Sequence, residues 1–156
     1  MTREEVNSLA LSTIDKTKAL ILELITGMGK TKVAVDLCNH ICDRVFKNDE
    51  TATHILILVA KTVHKEEWKK EIKKWGGIKS DYITIECYES LKKYENSTFD
   101  VVIADEMQHL SEKRLEILST ILIEEAFIGL SATIKKEMRD YFINSYNSKI
   151  IICALS

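Results

Sequence analysis

The chain of 156 residues contains no proline, and no repeat, low-complexity segment or Ser/Gly-rich stretch interrupts it. A linker between two units is thereby excluded. The length suits one domain, residues 1–156, that can bury a core without disulfides or a structural metal. The four cysteines, Cys38, Cys42, Cys87 and Cys153, lack CxxC spacing and sit in apolar segments. They read as small buried hydrophobes and not as zinc ligands or disulfide partners. His40, His54, His64 and His109 show no metal-ligand spacing either. The longest apolar runs, residues 55–60 and 150–155, fall far short of the roughly 20 residues that cross a bilayer. The N-terminus, MTREEVNSLALSTIDK, mixes acidic and polar residues where a secretory signal has a basic start and an apolar run. No membrane association is expected, and the chain is expected in the cytoplasm.

A net charge of −2 excludes a global attraction to polyanions, but the charge is uneven. Residues 61–79 carry seven lysines (61, 65, 69, 70, 73, 74 and 79) against Glu66, Glu67 and Glu71, a local balance of +4. Such a run is by itself a solvated helix face laced with Glu–Lys pairs, and it bears on a partner only if a motif lies beside it.

What is present is a repeated alternation. Short runs rich in Ile, Leu and Val predict strands near residues 19–26, 54–59, 82–87, 101–104, 127–130 and 149–154. Amphipathic stretches lie between them: Val33, Leu37, Ile41 and Val45 recur every four residues, and Trp68, Ile72 and Trp75 form a similar stripe that leaves the lysines outward. Apolar strands of this kind are buried on both faces, so the expectation is a three-layer α/β domain with a mainly parallel sheet.

Three segments carry chemistry. ITGMGKT, residues 25–31, lies between an expected strand and an expected helix, the setting of a phosphate-binding loop. Gly27 and Gly29 allow a tight turn that brings N–H groups, including those around Thr26 and Met28, to phosphate oxygens, and the helix N-terminus adds partial positive charge. Lys30 would reach the β and γ phosphates of a nucleotide, and the Thr31 hydroxyl would ligate Mg²⁺. The full pattern has glycine where this chain has Leu24. VVIADEMQH, residues 101–109, ends an apolar run in two adjacent carboxylates, which places Asp105 and Glu106 at a strand's C-terminal end, where open α/β sheets bind ligands. One acid can hold hydrated Mg²⁺ while its neighbour positions and deprotonates an attacking water. FIGLSATI, residues 127–134, is a further apolar run ending in the hydroxyls of Ser131 and Thr133.

GMGKT, DEMQ and SAT, in that order at strand ends, resemble motifs I, II and III of the superfamily 2 helicases and translocases. LILVAKTVHKEEWKKEIKKW resembles their motif Ia segment, and CYESL the region after it in the Swi/Snf-like and restriction-translocase branches. The resemblance implies a RecA-like P-loop fold, ATP and Mg²⁺ as ligands, and the first half of a two-domain motor that moves on DNA or RNA. It implies nucleotide contacts at Thr26, Gly27, Met28, Gly29, Lys30 and Thr31, magnesium at Thr31 and Asp105, and catalytic roles for Lys30, Glu106 and Gln108. Ser131 and Thr133 would couple the nucleotide site to a second RecA-like domain, in cis or in trans, and Lys61 and Thr62 would make weak backbone contacts to nucleic acid. The motif Ia proline is Ala60 here, and the one common after SAT is Ile134. The glutamine that reads adenine in relatives has no counterpart, since the chain's one glutamine is Gln108. The four arginines, Arg3, Arg44, Arg114 and Arg139, form no motif VI, so the chain is expected to be one domain of a longer protein or a product that borrows its other half, and a weak ATPase alone. The rival reading is a nucleotide-dependent binding module without productive hydrolysis. A small-molecule P-loop kinase would share GKT but leave motif Ia, DEMQ and SAT without a reason.

Overall fold

A computed structural model describes residues 2–24, 29–49 and 52–153. The first helix, α1 (Arg3–Ile14), starts on Thr2, whose hydroxyl accepts the Glu5 N–H at 3.1 Å, and it buries Val6, Ala10 and Ile14 at four-residue spacing. β1 (Ala19–Leu24) and α2 (Lys30–Asp49) follow, then β2 (His54–Val59), α3 (Thr62–Lys74) and β3 (Tyr82–Cys87). A 3-10 turn over Tyr88–Tyr94 leads to β4 (Thr98–Ala104), and a second over Met107–His109 leads to α4 (Glu112–Ser119). β5 (Leu122–Ser131), α5 (Lys136–Tyr146) and β6 (Lys149–Cys153) are the last of the described elements.

All six strands join one sheet in the order β3-β2-β4-β5-β1-β6, and every pairing is parallel. Parallel pairing needs a crossover between successive strands, and these crossovers clothe both faces. On one face Leu20, Leu22 and Leu24 of β1 pack with Val33, Leu37 and Ile41 of α2 and with α1. On the other, Ala19 and Ile21 pack with Phe127 of β5 and Phe142 of α5, whose rings stack at 4.9 Å. Each fully buried Leu or Ile contributes about 1.5–3 kcal/mol through removal of apolar surface from water, which is why the alternating runs fold as they do.

The six strand positions agree with the apolar runs, and β2 and β3 coincide with theirs end to end. β4 and β5 begin earlier than expected, at Thr98 and Leu122, because most of the residues added there are exposed or half-buried and so do not read as core. The sequence expectations at Ile25 and Thr26 and at Ala154 lie outside the described residues, as do the loop positions Gly27 and Met28. Cys38 and Cys42 are buried free thiols and Cys87 a half-buried one. No described helix is long and apolar enough to cross a membrane. Helix α1 is the element that the hydrophobic pattern did not mark.

Candidate functional site

Because the sheet is parallel throughout, the turns after β1, β2, β4 and β5 all emerge on one edge. The one after β1 ends at Gly29, with φ of +72°, a left-handed value that a residue with a Cβ adopts only under strain. Lys30 and Thr31 then open α2. They meet Asp105 and Glu106 of the β4 end, and His64, Glu67, Trp68 and Glu71 of α3, around one cavity of about 360 Å³. Lys30, Thr31, Asp105 and Glu106, read as chemical residues from two separate motifs, therefore line the same space.

Asp105 is held from three sides. Its N–H donates to the Leu58 carbonyl at 2.9 Å, extending the β2–β4 ladder by one bond. Its own carbonyl accepts the Tyr88 hydroxyl at 2.6 Å. Its Oδ2 accepts the Trp68 indole N–H at 2.9 Å. Burial raises the Asp105 carboxyl above the usual aspartate range, and the Glu106 charge adds to this; the Trp68 hydrogen bond and the Lys30 charge oppose it. Tyr88 is buried, and that burial, with the charges of Asp105 and Glu106, pushes its phenol well above its ordinary value, so it stays a donor.

Glu106 stands in the left-handed region, at φ 48° and ψ 59°, which costs an ordinary residue about 1–3 kcal/mol. The turn is held by Met107, which is fully buried against β5. A Cβ on Gly129 would lie 2.6 Å from Met107 Sδ, so the turn can sit this close to the sheet only because position 129 has no side chain. Glu106 itself is half-exposed, with Oε2 at 3.8 Å from His109 Nε2.

The expected link between DEMQ and SAT is present as a contact. Ser131 Oγ lies 2.9 Å from Gln108 Oε1 and 2.8 Å from the Thr133 carbonyl, and it accepts the Thr133 N–H at 3.2 Å. A hydroxyl has one proton to give; if Thr133 takes it, the Gln108 amide turns over and donates instead. Ser131 is fully buried and Thr133 exposed. Beside them, Glu23 of β1 accepts the Ile134 N–H at 2.8 Å and pairs with Arg139 of α5 at 3.1 Å, which ties the segment after SAT to β1.

Lys61 and Thr62 are exposed at the start of α3, on the same edge but outside this cavity; Thr62 Oγ1 is 3.9 Å from Cys87 Sγ. The lysine-rich segment is less cationic than its composition. Lys65 is bound by Glu86 at 3.0 Å and Lys79 by Asp43 at 3.1 Å, both acids from outside the segment, while Lys69 pairs with Glu66. The Lys65 and Tyr94 hydrogen bonds and the Lys93 charge hold the Glu86 carboxyl below its usual range, although burial pushes it up.

Three participants escaped the sequence reading. Trp68 was placed on an apolar stripe, and its indole N–H was the available sign, since a buried tryptophan needs an acceptor. Tyr88 gives the same kind of sign through its hydroxyl. The third is α1: with Gly29, Lys32, Val33 and Trp75 it encloses a second cavity, about 390 Å³, into which Arg3, Glu4, Asn7 and Ser8 contribute. Asn7 Oδ1 is buried there with no hydrogen-bond partner among the described residues.

Residues 2–93 match the model of the family described as "Type III restriction enzyme, res subunit". No curated protein matches the chain. Among solved structures, the chain is similar to the SWI2/SNF2 ATPase core of Sulfolobus solfataricus in complex with dsDNA, at TM-score 0.64 and 18% identity over 85% of this chain and 31% of that one. It is similar to the UvsW helicase of bacteriophage T4, at TM-score 0.66 and 16% identity over 91% of this chain and 58% of that one. A DEAD box protein of Methanococcus jannaschii gives TM-score 0.70 and 14% identity over 94% and 48%. The chain thus spans less than two thirds of each of these structures, and at such identities the likeness is one of fold, the RecA-like fold of helicase ATPase cores.

Proposed function

We propose, from the premise that this chain belongs to the family of the type III restriction enzyme res subunit, that it is the ATP-binding domain of an ATP-dependent helicase or nucleic-acid translocase. The observation that carries the reading is the meeting of Lys30, Thr31, Asp105 and Glu106 around one cavity at the strand C-terminal edge. A phosphate chain lying along the N-terminus of α2 would have the Lys30 ammonium as its counter-charge, with Thr26, Gly27, Met28 and Gly29 in the loop that wraps it. The Thr31 hydroxyl and the Asp105 carboxylate are hard oxygen donors that line the same cavity, the donor type that Mg²⁺ takes, so they fit that ion. When bound, Mg²⁺ supplies Lewis acidity that offsets charge building on the phosphoryl oxygens. Glu106, one residue beyond Asp105 and half-exposed at the cavity, would accept the proton of an attacking water. The Gln108–Ser131–Thr133 contact would pass the state of this turn to a second RecA-like domain, whose arginines complete the site. Lys61 and Thr62 would touch the phosphate backbone of DNA or RNA, giving affinity without sequence readout. The cavity beyond Gly29, which α1 helps to enclose, is where the nucleotide base would lie.

The test is Lys30→Ala with MgATP affinity measured by calorimetry. A charge-assisted contact to phosphate is worth about 1.5–3 kcal/mol, so affinity should fall at least about tenfold. Unchanged affinity would remove the phosphate-loop assignment.

A further inference from the structure

Helix α3 and its C-cap carry two tryptophans whose indole N–H groups are used in different ways. Trp75 donates its indole N–H to Glu71 Oε2 at 2.9 Å, a contact between neighbouring turns of one helix. Trp68 instead reaches out of its helix, across 37 residues of sequence, to a carboxylate at the end of β4. Its ring is buried, 3% exposed, in the core cluster that includes Ile57 and Val59, so the direction of the N–H is fixed by packing. An indole has one donor and no acceptor, so it engages one oxygen of the carboxylate. The Asp105 backbone is independently anchored by Leu58 and Tyr88, which leaves rotation of the carboxylate as its remaining freedom. The Trp68 indole restrains it. Engagement of Oδ2 by the indole leaves Oδ1 as the better-placed oxygen for another ligand.

We propose that Trp68 is a positioning residue for the metal-binding carboxylate: its indole N–H orients Asp105 toward a divalent cation, so that cation binding is felt directly by α3, the helix that begins beside Lys61. This rests on the reading of Asp105 as the magnesium carboxylate. Donors that orient a ligating group from behind typically set metal affinity by about 10–100-fold, and removing one leaves the fold intact where packing is kept. Trp68→Phe keeps most of the ring and removes the donor.

Two measurements on the full chain test it. In the first, ATP affinity is compared with and without Mg²⁺, the metal-free arm containing EDTA. Trp68→Phe should bind ATP in EDTA as wild type does, and should lose about tenfold of the enhancement that Mg²⁺ confers. In the second, the two indole N–H resonances of ¹⁵N-tryptophan-labelled wild type are followed by NMR, with Trp75→Phe used only to assign them. The Trp68 resonance should move when Mg²⁺ and ATP are added together and stay in place with ATP in EDTA. Equal Mg²⁺ enhancement in a folded Trp68→Phe, or weakening by the same factor in both arms, overturns the proposal, as does a Trp68 resonance indifferent to Mg²⁺. If Trp68→Phe does not fold, the wild-type resonance decides alone. The underlying reading fails differently: wild type that binds no ATP in either arm refutes the phosphate loop, and wild type whose ATP affinity ignores Mg²⁺ refutes the metal role of Asp105 and Trp68 together.

Discussion

Asp105 and Lys61 sit on the same edge of the same sheet, at the ends of neighbouring strands, yet their surroundings are built in opposite ways. Every element behind Asp105 sends it a partner: β2 a carbonyl, α3 an indole, the turn after β3 a phenol, and β5 the glycine that lets Met107 anchor the next turn. Lys61 and Thr62 stand exposed, with a 3.9 Å approach of Thr62 to the Cys87 thiol as the side-chain contact at that point. A group that must act on one bond is worth holding rigidly, because a misplacement of an ångström is costly in rate. A group that meets a flexible, repetitive phosphate chain gains little from such bracing, since its affinity comes from charge.

The largest effect is expected at Gly129. Gly129→Ala puts a methyl group 2.6 Å from Met107 Sδ and 3.2 Å from Phe127 Cε1, where both neighbours are fully buried. Overpacking of this kind costs about 1–3 kcal/mol, and relief requires the DEMQ turn to lift from the sheet. The variant should unfold at lower denaturant and bind MgATP more weakly than its lost stability alone explains. Adding Met107→Ala should recover part of the binding; wild-type stability in Gly129→Ala would mean the turn is not braced by this contact.

A smaller effect is expected at the unbraced end. Lys61→Ala with Thr62→Ala should change stability by less than about 0.5 kcal/mol, because both residues are exposed. Binding of a short oligonucleotide should nevertheless weaken, and the slope of log affinity against log salt should drop by about 1, the share of one phosphate contact. An unaltered salt slope would show that the lysine does not touch the track.

The two environments also differed in how legible they were. Strand positions and the residues at their ends could be read, because a buried run that stops at a charged pair marks its own end: Asp105 after Ala104, Lys30 after the glycines. The parallel arrangement was read from strands apolar on both faces. The bracing was not readable, since it depends on which distant residues the fold brings together. Trp68 and Asp105 are 37 residues apart and Tyr88 and Asp105 are 17 apart, and neither spacing has a local signature. Gly129 looked like one residue of an apolar strand, and its meaning appears only when Met107 lies on it. Helix α1 escaped because only Val6, Ala10 and Ile14 of its twelve residues are buried, a stripe too thin to stand out from its polar flanks. The pairing of the lysine-rich segment was likewise not legible, since Glu86 and Asp43, which pair with two of its lysines, lie outside it.

The smallest effect concerns the cost of the bracing itself. Burial raises the Asp105 carboxyl above its ordinary range, outweighing the Trp68 hydrogen bond and the Lys30 charge. A carboxyl raised on folding favours the folded state fully below its unfolded value, near the usual aspartate range of about 3.9, and that contribution is lost as pH rises through the folded value. At neutral pH the metal-free protein therefore carries a buried charge that weakens it. Asp105→Asn keeps an oxygen to accept the Trp68 N–H and has no charge to bury. In EDTA at pH 7 the variant should melt higher than wild type, by on the order of 2 °C for a chain of this size. The advantage should shrink as pH falls and vanish below the ordinary carboxylate range, where wild-type Asp105 is also neutral. Saturating Mg²⁺ with ATP should reverse the order, because the ligands stabilise only the protein that binds them. Thermal unfolding of the two proteins across pH, with and without MgATP, checks each arm. A variant less stable than wild type at neutral pH in EDTA would show that the Asp105 carboxylate is stabilised by its neighbours and not held there at a cost.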